Sequence, residues 1–290
     1  MFNLLTSTFN KFYEDRINKT YNLKGEYMSK NRVAVLTGGS GFLGQSLIDG
    51  LAVNHSKIYI VDKENLDKNN LDINNIEIVF NKIDISNENN VIEFFEFINK
   101  EKDIPLTLLN AAANNPNLTR KGMQNSKGFE FFDTKLFTSS VTGTLLGTAL
   151  MCREFIKLNV NNLKDEKIIL NIGSDLSVIA PDNRIYGKDQ EGDQIHKPVE
   201  YSISKHGVVG LTKYLSVYLA NKNYRVNTLS PTGVFNNQND EFVKNFSKTV
   251  PLNRMLDSKE ISSHIAYLTS DDSSFLTGQN IVVDGGRSVW

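Results

Sequence analysis

The stretch VAVLTGGSGFLG, Val33 to Gly44, decides the fold. A short apolar run with β-branched residues breaks into glycine, and apolar positions then return as Phe42, Leu43, Leu47, Ile48 and Leu51 at helical spacing. The order is strand, tight turn, helix. A turn of this kind lets backbone approach a phosphate without interference from Cβ atoms, and the following helix offers unpaired N–H groups and the positive end of its dipole. Gly38, Gly41 and Gly44 supply the freedom, with Ser40, Phe42 and Leu43 between them. The alternative for a glycine cluster alone is a simple tight turn; its placement between strand and helix favours a dinucleotide.

Outward from this unit the same alternation continues. Apolar runs at Ile58 to Val61, Ile76 to Phe80, Leu106 to Leu109, Ile168 to Ile172, Arg225 to Leu229 and Ile281 to Val283 predict six further strands. Ser86 is the expected cap of a helix through Val91, Phe94 and Ile98. Longer helices are expected from Thr134 to Leu158, Val199 to Ala220 and Ser258 to Leu268. Strands separated by helices pair in parallel with right-handed crossovers. The expected fold is therefore α/β: a Rossmann-like, doubly wound, seven-stranded parallel sheet flanked by helices.

The whole chain is 290 residues with 40% hydrophobic and 22% charged positions, which suits one large or two small domains. Its formal net charge of -1 gives no general attraction to phosphate backbones or anionic lipid, so neither nucleic acid nor a membrane is an expected partner. One cysteine, Cys152, excludes an internal disulfide and multi-Cys zinc sites and fits a reducing compartment, with cytoplasm the expectation. No run of 18 apolar residues is present, and polar residues interrupt the start of the chain, so neither a membrane span nor a signal peptide is expected. Residues 1–29 read as an N-terminal arm; because Met28 directly precedes the first strand, a variable start is the alternative. Residues 30–290 read as a single catalytic domain.

Chemistry enters at three places. Asp62 ends the second strand 18 positions after Gly44, where a carboxylate can accept bonds from the ribose hydroxyls of NAD and would repel the 2′-phosphate of NADP. NAD is the expected cofactor and NADP the alternative, because Lys63 beside it offsets part of that repulsion. Tyr201 and Lys205 lie four apart at the start of a helix and share one face. A phenol with pKa about 10 is a poor base at neutral pH. A nearby ammonium stabilises the phenolate, so Tyr201 could exchange a proton with a carbonyl or alcohol oxygen. Ser174 follows the fifth strand, where parallel sheets place ligand contacts, and its hydroxyl could hold the substrate oxygen. Ser177 is its neighbouring competitor, and a lone serine there is also an ordinary turn former.

Together these parts resemble the short-chain dehydrogenase/reductase family from about residue 30 to 287. The resemblance rests on TGGSGFLG, Asp84, NAAA at Asn110 to Ala113, NIGS ending at Ser174, YSISK at Tyr201 to Lys205, RVNTLSP at Arg225 to Pro231 and TGQNIVVDGG at Thr277 to Gly286. It implies an NAD(P)-dependent enzyme interconverting a secondary alcohol and a ketone, with Ser174, Tyr201 and Lys205 catalytic. It further implies that Asp84 and Ile85 border the adenine, that Asn110, Ala111 and Ala112 line the cofactor, and that Lys205 binds the nicotinamide ribose. Pro231, Thr232, Gly233 and Val234 would border the nicotinamide. Two departures stand out: the TG-x-x-G-x-x-G spacing is that of the family's extended branch, with Phe42 at the usual middle glycine, and Ser140 occupies the position of a helix asparagine that holds a relay water.

Ser174 and Tyr201 are 27 positions apart, against about a dozen in the family. Because both ends are catalytic, the surplus is expected beside the active site. Asp182, Arg184 and Tyr186 within it would suit a small, polar, polyhydroxylated or anionic substrate, whereas an acyl chain would want apolar lining. A solvated loop is the alternative. APDNRIY and the stretch Ser230 to Met255 resemble a subgroup associated with bacterial surface-glycan and flagellin-modification sugar pathways, which implies a carbohydrate or sugar-acid substrate. Asn236 to Lys248, with Phe242 and Phe246, would form a flexible lid. The four histidines, His55, His196, His206 and His264, lack metal-ligand spacing, so no catalytic metal is expected. His196 is a candidate substrate contact, and His206 is expected at the helix surface. Small residues Gly143, Gly147, Ala149, Gly207 and Gly210 permit close helix approach, and by the resemblance the two long helices would pair copies into a homodimer or homotetramer. The rival readings are an epimerase or dehydratase with retained NAD, and a non-catalytic dinucleotide-binding sensor.

Overall fold

The computed structural model describes residues 32–67, 76–114, 128–189 and 191–290, so the expected N-terminal arm lies outside the described residues. Seven strands form one sheet: β1 (Val33–Thr37), β2 (Lys57–Asp62), β3 (Glu77–Lys82), β4 (Thr107–Asn110), β5 (Lys167–Ile172), β6 (Tyr224–Pro231) and β7 (Asn280–Val283). All neighbours pair in parallel, in the order β3-β2-β1-β4-β5-β6-β7. This is the expected doubly wound sheet. The order reverses between β1 and β4, the switch point at which doubly wound sheets bind ligands beyond the C-terminal ends of their strands.

Each strand buries alternate residues on opposite faces. On one face Val35, Tyr59, Leu108, Ile169 and Val226 pack with Phe94 and Ile98 of α2 (Glu88–Glu101), and with Met151, Cys152 and Phe155. On the other, Leu36, Ile60, Leu109, Leu170 and Leu229 pack with Leu47, Ile48 and Leu51 of α1 (Gly44–Ala52) and with Ile261, Ile265 and Leu268. Burial of each such side chain contributes roughly 1.5–3 kcal/mol, so both layers of helices are held by apolar burial.

Three local expectations need correction. Asn87, not Ser86, caps α2: its Oδ1 accepts the N–H groups of Asn89 (3.0 Å) and Asn90 (3.4 Å). Ser86 is taken up by Asp84, to which it donates its hydroxyl at 2.7 Å. The helix expected from Thr134 to Leu158 is interrupted. It comprises α3 (Thr134–Val141), a π-helical turn (Thr142–Leu146) and α4 (Gly147–Leu158). Side-chain bonding at the turn explains the break, since Thr148 donates its hydroxyl to the Thr144 carbonyl (2.7 Å) while the Asn114 N–H donates to Thr144 Oγ1 (3.2 Å). Finally, α5 (Val199–Tyr218) stops short of Ala220, where a 3-10 turn over Ala220–Lys222 begins.

Two further helices complete the described chain. Asn239 caps α6 (Asp240–Ser247), accepting the Phe242 N–H at 2.8 Å. A capping box of Asp257 and Glu260 starts α7 (Ser258–Leu268) where the apolar spacing predicts it. Gly147 and Gly207 do permit close approach, but within the chain: a Cβ at Gly147 would lie 2.7 Å from Ile85, and one at Gly207 would lie 2.6 Å from Leu145. Among the described residues no helix is long and apolar enough to cross a membrane.

Candidate active site

The glycine turn packs against the end of β4. Gly38 has φ +77°, and a Cβ there would meet the Ala112 backbone nitrogen at 2.6 Å, so both conformation and space require glycine. Beyond the turn, α1 has no side-chain cap and no acidic residue in its first turn. Its first turn therefore carries no side-chain anion of its own against the positive end of the dipole. Phe42, at the family's glycine position, is solvent-exposed.

Asp62 closes the far side of this turn. Its carboxylate accepts the Ser40 N–H at 2.9 Å and the Glu64 N–H at 3.0 Å. Asp84 is exposed after β3 and holds Ser86, while Ile85 is buried. At the end of β4, Asn110 donates through Nδ2 to Asn171 Oδ1 (2.9 Å), and Asn171 donates to Thr212 Oγ1 (2.8 Å). The Asn110 Oδ1 is buried without a hydrogen-bond partner among the described residues. An uncapped helix end, a cradle no Cβ could share, a carboxylate at the end of β2 and an unsatisfied amide oxygen together fit a dinucleotide laid across the strand ends.

The proposed chemistry lies one strand further on. Lys205 Nζ donates to the Ile172 carbonyl at 2.7 Å, which anchors α5 to the end of β5. That ammonium lies 5.8 Å from the centroid of the Tyr201 ring. Ser174, buried just past β5, donates its hydroxyl to Asp175 Oδ1 at 3.0 Å and accepts the Leu176 N–H at 3.2 Å. Ser177 is committed elsewhere, donating to the Ser174 carbonyl at 2.6 Å. Ser140 is buried on α3 beside the π turn, and no hydrogen bond joins it to Ser174, Tyr201 or Lys205 among the described residues.

The electrostatics differ from the expectation that Lys205 lowers the Tyr201 pKa. Burial of the hydroxyl pushes Tyr201 up to about 12; Ser174 offsets part of this and Asp175 adds to it. Burial pushes Lys205 down to about 8, reinforced by repulsion from Lys197. Lys205 is thus still mainly cationic at neutral pH, while Tyr201 is a neutral phenol and a proton donor. Lys197 is a second cation that sequence reasoning missed, with Nζ 4.2 Å from the Tyr201 centroid and its own pKa pushed down to about 8 by burial. Its signal was present in the sequence, four positions before Tyr201.

The insertion folds as a closed loop. A 3-10 turn, Asn183–Tyr186, precedes an antiparallel bridge between Lys188 and Gln194, and the Gln194 amide donates to the carbonyls of Asn183 and Gly187, both at 2.7 Å. Asp182 and Arg184 largely satisfy each other: Nε and Nη2 of Arg184 each donate to the carboxylate at 2.8 Å, and the arginine side chain is 88% exposed. Tyr186 instead packs inward on Phe242, with ring centroids 5.7 Å apart. Within the segment expected as a lid, Asp240–Ser247 form α6, whose Phe242 and Phe246 are buried with Ile185, Val250 and Met255. Gly233 makes this possible, because a Cβ there would lie 2.5 Å from the Phe246 ring. Asp189 Oδ1, in the same loop, accepts the N–H groups of Glu191 (2.9 Å) and Asp193 (2.8 Å).

The histidines lie apart. His55 is buried and bonds Leu51 and Thr107, His206 is exposed and bonds the Ser202 carbonyl, and His264 bonds the Glu260 carbonyl. His196 lies half-buried in the insertion. Besides Lys197, two more functional candidates escaped sequence reasoning: Asp175, adjacent to Ser174, and Arg287, 112 positions later, whose Nη1 donates to Asp175 Oδ2 at 2.6 Å.

Comparison with known proteins agrees with this fold. A family model described as enoyl-(acyl carrier protein) reductase matches residues 59–288. Post-translational flagellin modification protein A of Campylobacter coli is 35% identical over 140 residues, covering 48% of this chain and 52% of that protein, about half its length. An NADH-dependent L-xylulose reductase of Ambrosiozyma monospora is 27% identical over 281 residues, covering 89% of this chain and 95% of that one. A short chain dehydrogenase of Leptospira borgpetersenii, crystallised with bound NAD+, superimposes with TM-score 0.77 at 30% identity, covering 90% of this chain and 94% of the other.

Proposed function

Since the chain belongs to the short-chain dehydrogenase/reductase family, we propose that it is an NAD-dependent oxidoreductase interconverting a secondary alcohol and a ketone on a sugar or sugar-derived acid. The observation that carries this reading is the convergence of Ser174, Tyr201 and Lys205 at the end of β5. Gly38, Ser40, Gly41, Leu43 and Gly44 with the start of α1 would hold the pyrophosphate, and Asp62 the adenine ribose, which disfavours the NADP alternative. Asn110, Thr232 and Val234 would border the nicotinamide half. When bound, NAD supplies the hydride acceptor or donor.

The residues of the chain do the rest. Tyr201, a neutral phenol, donates its proton to the substrate oxygen in reduction and recovers it in oxidation. Ser174 positions that oxygen by turning its one hydroxyl proton from Asp175 Oδ1 to the substrate, and Lys205, held at Ile172, keeps positive charge near the phenolate that forms. The sugar class is supported by the polar insertion and by partial similarity to the flagellin-modification and xylulose proteins. Tyr186 and Lys197 are its best-placed contacts, whereas Asp182 and Arg184 would act as a pair at the rim. Exposed Leu146 at the end of the π turn, with Ile203, Tyr214, Val217 and Tyr218 of α5, supports pairing of copies as a homodimer or homotetramer. The single cysteine supports a cytoplasmic setting.

A panel of sugars, sugar acids, sugar phosphates and nucleotide sugars, assayed for NADH formation or consumption, tests this reading. Turnover with one polar class supports it. Tightly retained NAD with conversion of substrate but no net change in NADH would contradict it and favour an epimerase.

A further inference from the structure

Asp175 sits at a junction of three segments and is nearly inaccessible, with side-chain exposure of 3% against 5% for Arg287. One oxygen, Oδ1, accepts the Ser174 hydroxyl (3.0 Å) and the Leu176 N–H (2.8 Å). The other, Oδ2, accepts the Thr232 hydroxyl (2.6 Å), from the stretch after β6, and Arg287 Nη1 (2.6 Å), from the end of the chain. Arg287 in turn donates through Nε to Thr249 Oγ1 (3.1 Å) and lies over the Phe246 ring at 4.9 Å from its centroid, so it also holds the α6 segment.

A buried carboxylate carrying four hydrogen bonds is a rigid anchor, and a guanidinium is the partner best suited to hold it. Its place beside the reacting groups gives the pair a further consequence. Tyr201 is faced by Asp175 from the end of β5, by Lys197 and Tyr186 from the insertion and by Lys205 from its own helix. Asp175 supplies the negative charge among these, and Arg287 compensates it. Arg287 also faces Asp182 and Tyr186. We infer that Asp175 and Arg287 are positioning residues, a charge-compensated clamp that fixes the Ser174 hydroxyl and sets the electrostatic field at Tyr201. The inference rests on the reading of Tyr201 as the proton donor.

The clamp predicts opposite effects from its two halves. Without the guanidinium, the remaining carboxylate disfavours phenolate and raises the Tyr201 titration midpoint. Without the carboxylate charge, the remaining guanidinium favours phenolate and lowers it. The full chain is prepared with fluorotyrosine in place of tyrosine, whose more acidic phenol brings the titration into an accessible range. The 19F resonance missing from Tyr201→Phe identifies Tyr201 and is followed through pH. Arg287→Gln is expected to raise the midpoint and Asp175→Asn to lower it, each by about one unit or more. Arg287→Lys and the double variant Asp175→Asn with Arg287→Gln should stay close to wild type, because charge balance is kept. Asp175 also favours the Lys197 ammonium, so the series is measured in a Lys197→Gln background, where Lys205 is the same neighbouring cation in every variant.

Midpoints that do not move, or that move in the same direction in both single variants, would overturn the inference. Should Arg287→Gln not fold, the isosteric Asp175→Asn carries the test: a lowered midpoint supports the clamp, and an unmoved or raised one refutes it. Failure of the underlying reading is separable, since it would show as turnover retained in Tyr201→Phe whatever the midpoints do.

Discussion

The Tyr186 ring lies against Phe242, with centroids 5.7 Å apart, and this contact joins the insertion before α5 to the helix that follows β6. Two segments more than fifty positions apart in sequence thereby form one wall beside Ser174 and Tyr201. The wall is apolar inside, through Ile185, Phe246, Val250 and Met255. Its seating depends on the close approach of Phe246 to Gly233.

Gly233→Ala should therefore unseat the wall without unfolding the sheet. Overpacking of this kind costs about 1–3 kcal/mol, and the strain is relieved by displacement of Phe246. Amide exchange is expected to speed up across Asp240–Ser247 while the β4 and β5 amides keep their protection. Adding Phe246→Leu should restore protection; uniform loss of protection across the sheet would contradict this account.

Asp62→Ala removes a carboxylate that holds the Ser40 N–H and faces the expected ribose site. Hydrogen bonds to a charged group contribute about 1.5–3 kcal/mol, so NAD should bind about tenfold more weakly or worse. NADP should lose less or gain, because the repelling charge is gone. Calorimetric titration with both dinucleotides measures the ratio. A wild-type protein that already prefers NADP would show that Asp62 does not select the cofactor.

His55 predicts a pH dependence of stability. It bonds the Leu51 carbonyl and Thr107 Oγ1, each at 2.8 Å, in a fully buried site. Burial holds its pKa down at about 4, against 6.5 for an ordinary histidine. Between these values the unfolded chain binds a proton that the folded chain refuses, so the His55 contribution is present above pH 6.5 and declines as pH falls toward 4. The loss is at most about 3 kcal/mol. Denaturant midpoints measured across that range should fall with pH, and His55→Gln should flatten the slope while lowering stability at neutral pH. An unchanged slope in the variant would place the dependence elsewhere.

The sheet was legible because its signals are local. Apolar runs of strand length, glycines fixed by a tight turn and helices of ordinary spacing mark seven strands and the bounds of α7 with little ambiguity. Ser174, Tyr201 and Lys205 were legible for the same reason, each sitting at a strand end or a helix start. What was hidden depends on pairing across the chain. The π turn after α3 arises from Thr144 being engaged by both Thr148 and Asn114, which no apolar period records. The bond from Arg287 to Asp175 spans 112 positions and leaves no local pattern at either end. The Asp182 and Arg184 charges looked free for substrate because sequence shows charge but not that two charges satisfy each other.

The central claim is that Tyr201 moves the proton at a dinucleotide site, and Tyr201→Phe tests it most directly. The measurement is turnover on the substrate found in the sugar panel, paired with NADH binding by fluorescence titration on the same preparation. Loss of a positioned general acid predicts a fall in kcat of about 100-fold or more, with NADH affinity near wild type. Turnover retained at the wild-type level, with NADH still bound, would contradict the account.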